Sequence, residues 1–400
     1  MSAVCSALGA LVITSATLAP EAAAVDVHSK EWYLKAMGAE DIWKISTGKG
    51  VKVAVIDSGV NPATSSLKGQ VLVDEVPKSV AYHVTHDING HGTSMAEIIA
   101  GTGAGGGIKG LAPEAKIIPF RFDAAARGAD EISKTPNEAE AIRAAADSEA
   151  KIINMSIGGG SSEDDVAAAV KYAVSKGKLL FASVGNDGDK GNMPSYPASY
   201  PGAIGVAAID KSGTVGKFSS YGDYVDLAAP GLSIPSWCDG NFNEYCDTQG
   251  TSPASAIASA SAALVWSAHP DWTGNQVLRS LIDTAARDWP KDKPSKYLGY
   301  GGMRPRRVLI DKNINPGPAD VDPLAYENGD ATSAAPSSSA KSPSGKPTKD
   351  AGSASGPTSA AAKDTDSGSG TQTWVIIGAV AAVLVIGGAG FAVLRARRNA

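Results

Sequence analysis

Hydrophobic residues fall along this chain in short continuous runs, set between stretches that are apolar on one stripe only. The runs are VKVAVI (51–56), KIIPF (116–120), KIINMS (151–156), KLLFASV (178–184), AIGVAA (203–208) and VDLAA (225–229). Runs without polar alternation predict strands buried on both faces, and the intervening EAEAIRAAADSEA and EDDVAAAVKYAVSKG predict amphipathic helices. Strands and helices in alternation give an α/β fold with a parallel sheet covered on both sides. Ligands of such sheets sit beyond the carboxyl ends of the strands. That rule singles out Asp57 after VAVI, Ser156-Ile157-Gly158 after IINM, and Asn186 after FASVG.

The two ends of the chain follow other patterns. ALGALVITSATLAP (7–20) is apolar but too short to span a bilayer, and Ala22-Ala23-Ala24 follows it as a small-residue cleavage site. This is the pattern of a signal peptide, although no Lys or Arg precedes the apolar run. The alternative, a buried N-terminal helix, conflicts with its abrupt end at Pro20 and Glu21. Residues 374–394 carry no charge; as a helix they extend about 32 Å, against a hydrocarbon core of about 30 Å. Arg395, Arg397 and Arg398 follow at once, which puts the C-terminus in the cytoplasm and the preceding chain outside. A soluble core helix of that length would keep a polar face.

Between these segments, 313–372 is dominated by Ser, Ala, Gly, Pro, Lys and Asp, with Tyr326 its only aromatic residue. It has too little apolar surface to offset its ordering entropy and reads as a tether reaching about 40 Å. The expected organisation is a signal peptide at 1–24, a globular domain at 25–312, a disordered linker at 313–372, a transmembrane helix at 373–395 and a cytoplasmic tail at 396–400.

Composition narrows the function. The chain is 43% hydrophobic and 19% charged with a net charge of −5, enough apolar content for a large core. Lys and Arg total 36 against 41 acids, and the only basic run is the short C-terminal one, which argues against a nucleic-acid partner. Cys5 falls in the expected signal, leaving Cys238 and Cys246 in WCDGNFNEYC. In an exported domain these read as one small disulfide worth about 2–3 kcal/mol, with two free thiols as the alternative.

Ser252, in GTSPASAIASASAALVW, precedes Pro253 at the start of an apolar helical pattern, which is first of all an N-cap arrangement. Asp57 alone is a turn residue, and His91 in NGHGTSMAEIIAG is a structural histidine. Together the three acquire another meaning. A nucleophilic serine needs a base to take its proton, and the base needs a carboxylate to fix its tautomer.

VAVIDSGV, HGTSMAEIIAG and GTSPASA resemble the three motifs of subtilisin-like serine proteases, in that family's order Asp, His, Ser. INMSIGG resembles the family's substrate-binding strand, GND its oxyanion segment, and YPASYPGAIGVAAID with FSSYGDYVDLAAPG its sheet core, so the resemblance covers roughly 45–290. It implies a subtilisin-like three-layer fold with a central, mostly parallel sheet. It also implies roles: Asp57 orients, His91 is general base and then acid, and Ser252 is the nucleophile while also capping its helix. Asn186 and the backbone N–H of Ser252 would donate to the oxyanion. Ser156, Ile157 and Gly158 would pair with an extended polypeptide substrate, and Ser195 would lie near the floor of the first specificity pocket.

Some positions depart from the family. Pro253 follows the serine directly where a large residue is usual, Ala256 stands where a proline is usual, and NPATSSLKG lacks the usual histidine. Residues 25–49 are too short for the folding propeptide of many secreted subtilisins and read as a lead-in wrapping the domain. There is no HExxH pair, and the five histidines are not spaced as metal ligands. No cofactor is required; structural calcium is compatible with the resemblance but no ligand set stands out. The overall plan is similar to that of mycosins, membrane-anchored subtilases linked to type VII secretion in actinobacteria. It implies a surface-tethered serine endopeptidase whose partners are a polypeptide substrate, the membrane and secretion-system components. The competing expectation is a catalytically silent, protease-like scaffold docking a secretion partner.

Overall fold

All six apolar runs become strands of one parallel sheet: β1 Lys52–Asp57, β2 Lys116–Arg121, β3 Ile152–Met155, β4 Leu179–Ser183, β5 Ala203–Ile209 and β6 Leu227–Pro230. Their order across the sheet is β2-β1-β3-β4-β5-β6. This is a computed structural model, and it describes residues 27–122 and 128–328. The expected signal peptide, the transmembrane span and most of the tether lie outside those residues. The chain divides into units Met1–Ser337 and Ser338–Ala400, and every described residue belongs to the first. Among the described residues no helix is long and apolar enough to cross a membrane.

Nine α-helices accompany the sheet among the described residues: α1 Trp32–Met37, α2 Ala39–Ile42, α3 His91–Ala100, α4 Ala129–Ile132, α5 Glu138–Asp147, α6 Asp164–Ser175, α7 Thr251–Ala268, α8 Gly274–Thr284 and α9 Pro305–Ile310. The strict two-residue period of the strands sorts the core into two layers. Val53, Val55, Ile152 and Phe181 face the side covered by α3, α7 and α8; Ala54, Ile56, Ile153 and Leu180 face α5 and α6. The result is a three-layer α/β arrangement, with helices on both faces of a parallel sheet. Helix α5 starts where Asn137 and Glu140 form a reciprocal capping box. Helix α7 runs through the core with buried side chains on all faces.

The connections place the site. From β1 the chain steps outward to β2, then returns past β1 to β3 and continues to β4 on the other side. The carboxyl ends of β1 and β3 therefore flank the point where the winding reverses, the position at which such sheets bind ligands.

The lead-in wraps the domain. Tyr33 and Ile42 are fully buried, the Tyr33 hydroxyl donates to the Lys109 carbonyl, and the Trp32 indole donates to the carbonyls of Leu232 and Ser233. Those carbonyls belong to an antiparallel hairpin, β7 Leu232–Trp237 and β8 Tyr245–Gln249, which the runs did not announce because its residues are half exposed. Cys238 and Cys246 form a disulfide across the hairpin end, with Cα atoms 5.0 Å apart.

The expected boundary at 312 is corrected. Residues 313–328 pack on the domain rather than starting the tether. Leu324 is 2% and Ala325 6% exposed, Arg279 donates to the Val321 carbonyl, and the Asn328 side chain accepts from the Gly202 amide. The anchoring uses backbone carbonyls, the Asn328 and Glu327 side chains and the buried Leu324 and Ala325, a mixture that a compositional reading does not register.

The hairpin is held to α3 by two side chains one turn apart. Ser94 accepts from the Trp237 amide at 2.9 Å. Glu97 is fully buried and accepts from the Thr64 hydroxyl at 2.7 Å and the Tyr245 hydroxyl at 3.0 Å. Burial pushes the Glu97 carboxyl up to about 7 against the pull of those hydroxyls, with nearby Glu31 adding to the rise. A folded-state value above the unfolded one means that the native state binds the extra proton. The associated stability is therefore present below pH 4.5 and lost as pH rises to about 7. Relative to wild type, Glu97→Gln should thus gain stability on going from pH 5 to pH 8, by up to about 3 kcal/mol in urea unfolding. An unchanged difference would refute the burial argument.

Candidate active site

Asp57 ends β1 and is fully buried. Its Oδ1 accepts from the Ser58 amide at 2.7 Å and lies 2.7 Å from Nδ1 of His91, while Oδ2 has no hydrogen-bond partner. His91 is the first residue of α3, and Gly90 before it sits at φ +79°, a left-handed conformation suited to glycine. A side chain at Gly90 would also collide with the hairpin, since a Cβ there would lie 2.6 Å from the Asp239 carbonyl oxygen. A carboxylate only accepts, so Nδ1 carries the proton and Nε2 keeps its lone pair. Burial pulls the imidazole pKa down, but the charge and hydrogen bond of Asp57 and the charge of Asp87 outweigh it and hold His91 above its ordinary value.

Ser252 lies in the first turn of α7 but is not its cap, which corrects the expectation. The helix starts at Thr251 after Gly250, and the Ser252 hydroxyl donates to the Ser156 carbonyl at 2.6 Å, whereas a capping side chain would accept. In return the Ser156 hydroxyl donates to the Ser252 carbonyl at 2.9 Å. Pro253 costs the helix nothing, because the first four amides of a helix lack intrahelical partners. In this rotamer the single Ser252 proton faces the strand edge rather than His91.

Asn186 follows β4. Its Oδ1 accepts from the Thr251 amide at 2.9 Å and the Thr251 hydroxyl at 3.1 Å. With that oxygen committed, Nδ2 is the edge of the amide left for the cavity that Asn186 lines. The cavity has a volume of 470 Å³ and brings together His91, Ser252 and Asn186. Ser156, Ile157 and Gly158 form part of its wall, and Ser195 also lines it. A Cβ on Gly158 would lie 2.5 Å from Ser195 Oγ and one on Gly185 3.0 Å from Ser195 Cβ, so two glycines make room for this serine. Every sequence-predicted site residue apart from Asp57 thus borders one cavity, and Asp57 stands behind His91.

Residues beyond those read from the sequence complete the arrangement. Asn154 is fully buried; its amide donates to the Ser156 hydroxyl at 2.9 Å and accepts from Ser255 at 3.2 Å and Ser259 at 3.1 Å, pinning the end of β3 to α7. Asp87 braces the loop before His91. Its one sequence signal was position, four residues ahead of the histidine. Among the described residues there is no group of three or more His, Cys, Asp or Glu side chains placed to hold a metal ion.

The subtilase family profile matches residues 48–301. Curated relatives include a thermostable alkaline protease of Halalkalibacterium halodurans, 34% identical over 241 residues, and subtilisin NAT of Bacillus subtilis subsp. natto, 36% identical over 241 residues. Each alignment covers 60% of this chain, and the chain spans 63% and 61% of the lengths of those two proteins. Among solved structures, the MycP3 protease from the type VII (ESX-3) secretion system aligns with a TM-score of 0.56 at 29% identity, covering 70% of this chain and 87% of that one. MycP1 from Mycobacterium smegmatis aligns with a TM-score of 0.57 at 27% identity, covering 72% and 86%. With its ordered motifs, its parallel sheet and a profile match over more than half its length, the chain belongs to the subtilase family.

Proposed function

We propose that this chain is a serine endopeptidase, tethered to the outer face of the cell membrane by its C-terminal segment and acting on exported polypeptides. The reading is carried by the 2.7 Å contact of His91 Nδ1 with buried Asp57, beside a cavity that also holds Ser252 and Asn186. Ser252 turns from the Ser156 carbonyl toward His91 and attacks the scissile carbonyl carbon as Nε2 takes its proton. Asp57 keeps Nδ1 protonated and stabilises the imidazolium. The carbonyl oxygen, now negative, is held by Asn186 Nδ2 and the Ser252 amide at the positive end of α7. Collapse breaks the C–N bond, the imidazolium gives its proton to the leaving amine, and water cleaves the acyl-enzyme by the reverse sequence.

The substrate would lie along Ser156, Ile157 and Gly158 as an added strand. Gly159 is already bridged to Tyr196, with amide–carbonyl distances of 3.0 and 2.8 Å, which keeps that edge extended. Ser195, wedged between Gly158 and Gly185, shortens the cavity and favours a small residue at the cleaved position. The likeness to MycP3 and MycP1 supports a place beside a type VII secretion system, with its components as partners.

The orientation of the Ser252 hydroxyl toward Ser156 supports a second reading, a scaffold that binds peptides without cutting them. A fluorophosphonate probe separates the two, since it phosphonylates only a serine that surrenders its proton. Wild type should be labelled and Ser252→Ala should not; an unlabelled folded wild type would establish the scaffold. For the oxyanion role, Asn186→Ala should lower kcat by about 10²–10³ with KM little changed, and a change confined to KM would contradict it. For the pocket, Ser195→Gly should raise kcat/KM for peptides with Phe or Met at the cleaved position by about tenfold relative to Ala. An unaltered preference in a peptide-library digest would exclude Ser195 as its limit.

A further inference from the structure

Asp87 is only 3% exposed, and the chemistry above assigns it nothing. Its carboxylate is nonetheless among the most heavily bonded groups near the site. Oδ1 accepts from the Ser58 hydroxyl at 2.9 Å, the Gly90 amide at 3.0 Å and the Asn89 amide at 3.3 Å. Oδ2 accepts from the Thr93 amide at 2.9 Å and the Thr93 hydroxyl at 2.6 Å. These donors come from two elements. Ser58 follows Asp57 at the end of β1, while Gly90 and Thr93 bracket His91 at the start of α3.

Ser58 joins the two halves. Its hydroxyl lies 3.1 Å from Asp57 Oδ1 and accepts from the Gly92 amide at 3.0 Å. An ordinary cap satisfies one or two amides of a helix from the residue just before it. Helix α3 has glycine at that place, and its first turn is held by a carboxylate from further upstream that also reaches the neighbouring strand. Breaking this ring would let the His91 turn move relative to Asp57 without touching either residue.

We propose that Asp87 is a positioning residue of the reaction: through Ser58 and the first turn of α3 it fixes His91 against Asp57, and its negative charge favours the imidazolium formed during proton transfer. The second half agrees with the raised basicity of His91, where burial opposes and the charges of Asp57 and Asp87 both favour the protonated ring. The charged or titratable groups facing this region are Asp57 from β1, Asp87 from the loop before α3, and Asp187 on the shared cavity. His86 and Asp239 border the cleft behind Asp87.

The kinetic part of the test rests on the peptidase reading, and the spectroscopic part does not. In the full chain, the imidazole of His91 is titrated by NMR in the Ser252→Ala background, with and without Asp87→Asn. The substitution keeps shape and removes charge. The His91 pKa should fall by roughly half a unit. In the active chain, the acid limb of kcat/KM should move down by the same amount while kcat falls about tenfold and KM stays within about twofold. A merely structural role would lower activity without moving that limb. A folded Asp87→Asn protein with an unshifted His91 pKa overturns the proposal. If Asp87→Asn does not fold, Ser58→Ala decides: it keeps the charge and cuts the link, and the low-field Nδ1 proton of His91 should broaden. An unaltered resonance in Ser58→Ala overturns the proposal as well. A wild type that cleaves nothing would end the peptidase reading, while the His91 titration would still decide the role of Asp87.

Discussion

Helix α7 can lie against five of the six strands because most of its residues are alanine and serine. Side chains this small let the helix approach the sheet closely, and it packs on β1, β3, β4, β5 and β6 as well as on α3. Burial on all faces leaves its hydroxyls in need of partners. Ser255 and Ser259 find theirs in Asn154, and Ser261 in the Ile257 carbonyl. The first turn, with Ser252 and the Thr251 contacts to Asn186, is therefore set by the packing of the entire helix rather than by the loop that precedes it. A site built this way inherits the rigidity of the core.

The electrostatics follow from where the strands end. Asp57 is carried into full burial by β1, and an ionised carboxylate there needs donors close by. The Ser58 amide and the His91 ring supply them on one oxygen, while the other has no partner. Such an arrangement makes a proton on the imidazole more favourable than burial alone would allow. Helix α3 then carries two more contacts on a neighbouring stretch, Ser94 and Glu97, so the helix that presents the base also bears the hairpin.

The sheet was legible because both its faces are buried: six uninterrupted apolar runs became six strands, with ends shifted by a residue or two. The hairpin was not, since a half-exposed strand such as Tyr245–Gln249 carries too few apolar residues to stand out from a loop. Asp57, His91, Ser252 and Asn186 were found by motif and strand-end position, which fix neighbourhood but not rotamer. The expected capping by Ser252 failed there, because the helix starts one residue earlier, at Thr251 after Gly250, and the Ser252 hydroxyl instead donates to the Ser156 carbonyl across 96 residues of sequence. Asp87 and Asn154 are polar residues inside stretches whose meaning comes only from what folds around them. Residues 313–328 look solvated in composition and are anchored through backbone carbonyls and a few side chains.

The lead-in carries a kinetic consequence. Trp32 bonds to carbonyls about 200 positions further along, and Ser46 to the Leu264 carbonyl across 218. Contacts so remote in sequence demand closure of very large loops before they reward the chain, which slows folding. On the ribosome, this early segment cannot reach its native place until the hairpin and α7 have followed. This domain is thus bound to complete itself late and all at once, leaving a long interval in which an unfolded chain is exposed to whatever meets it.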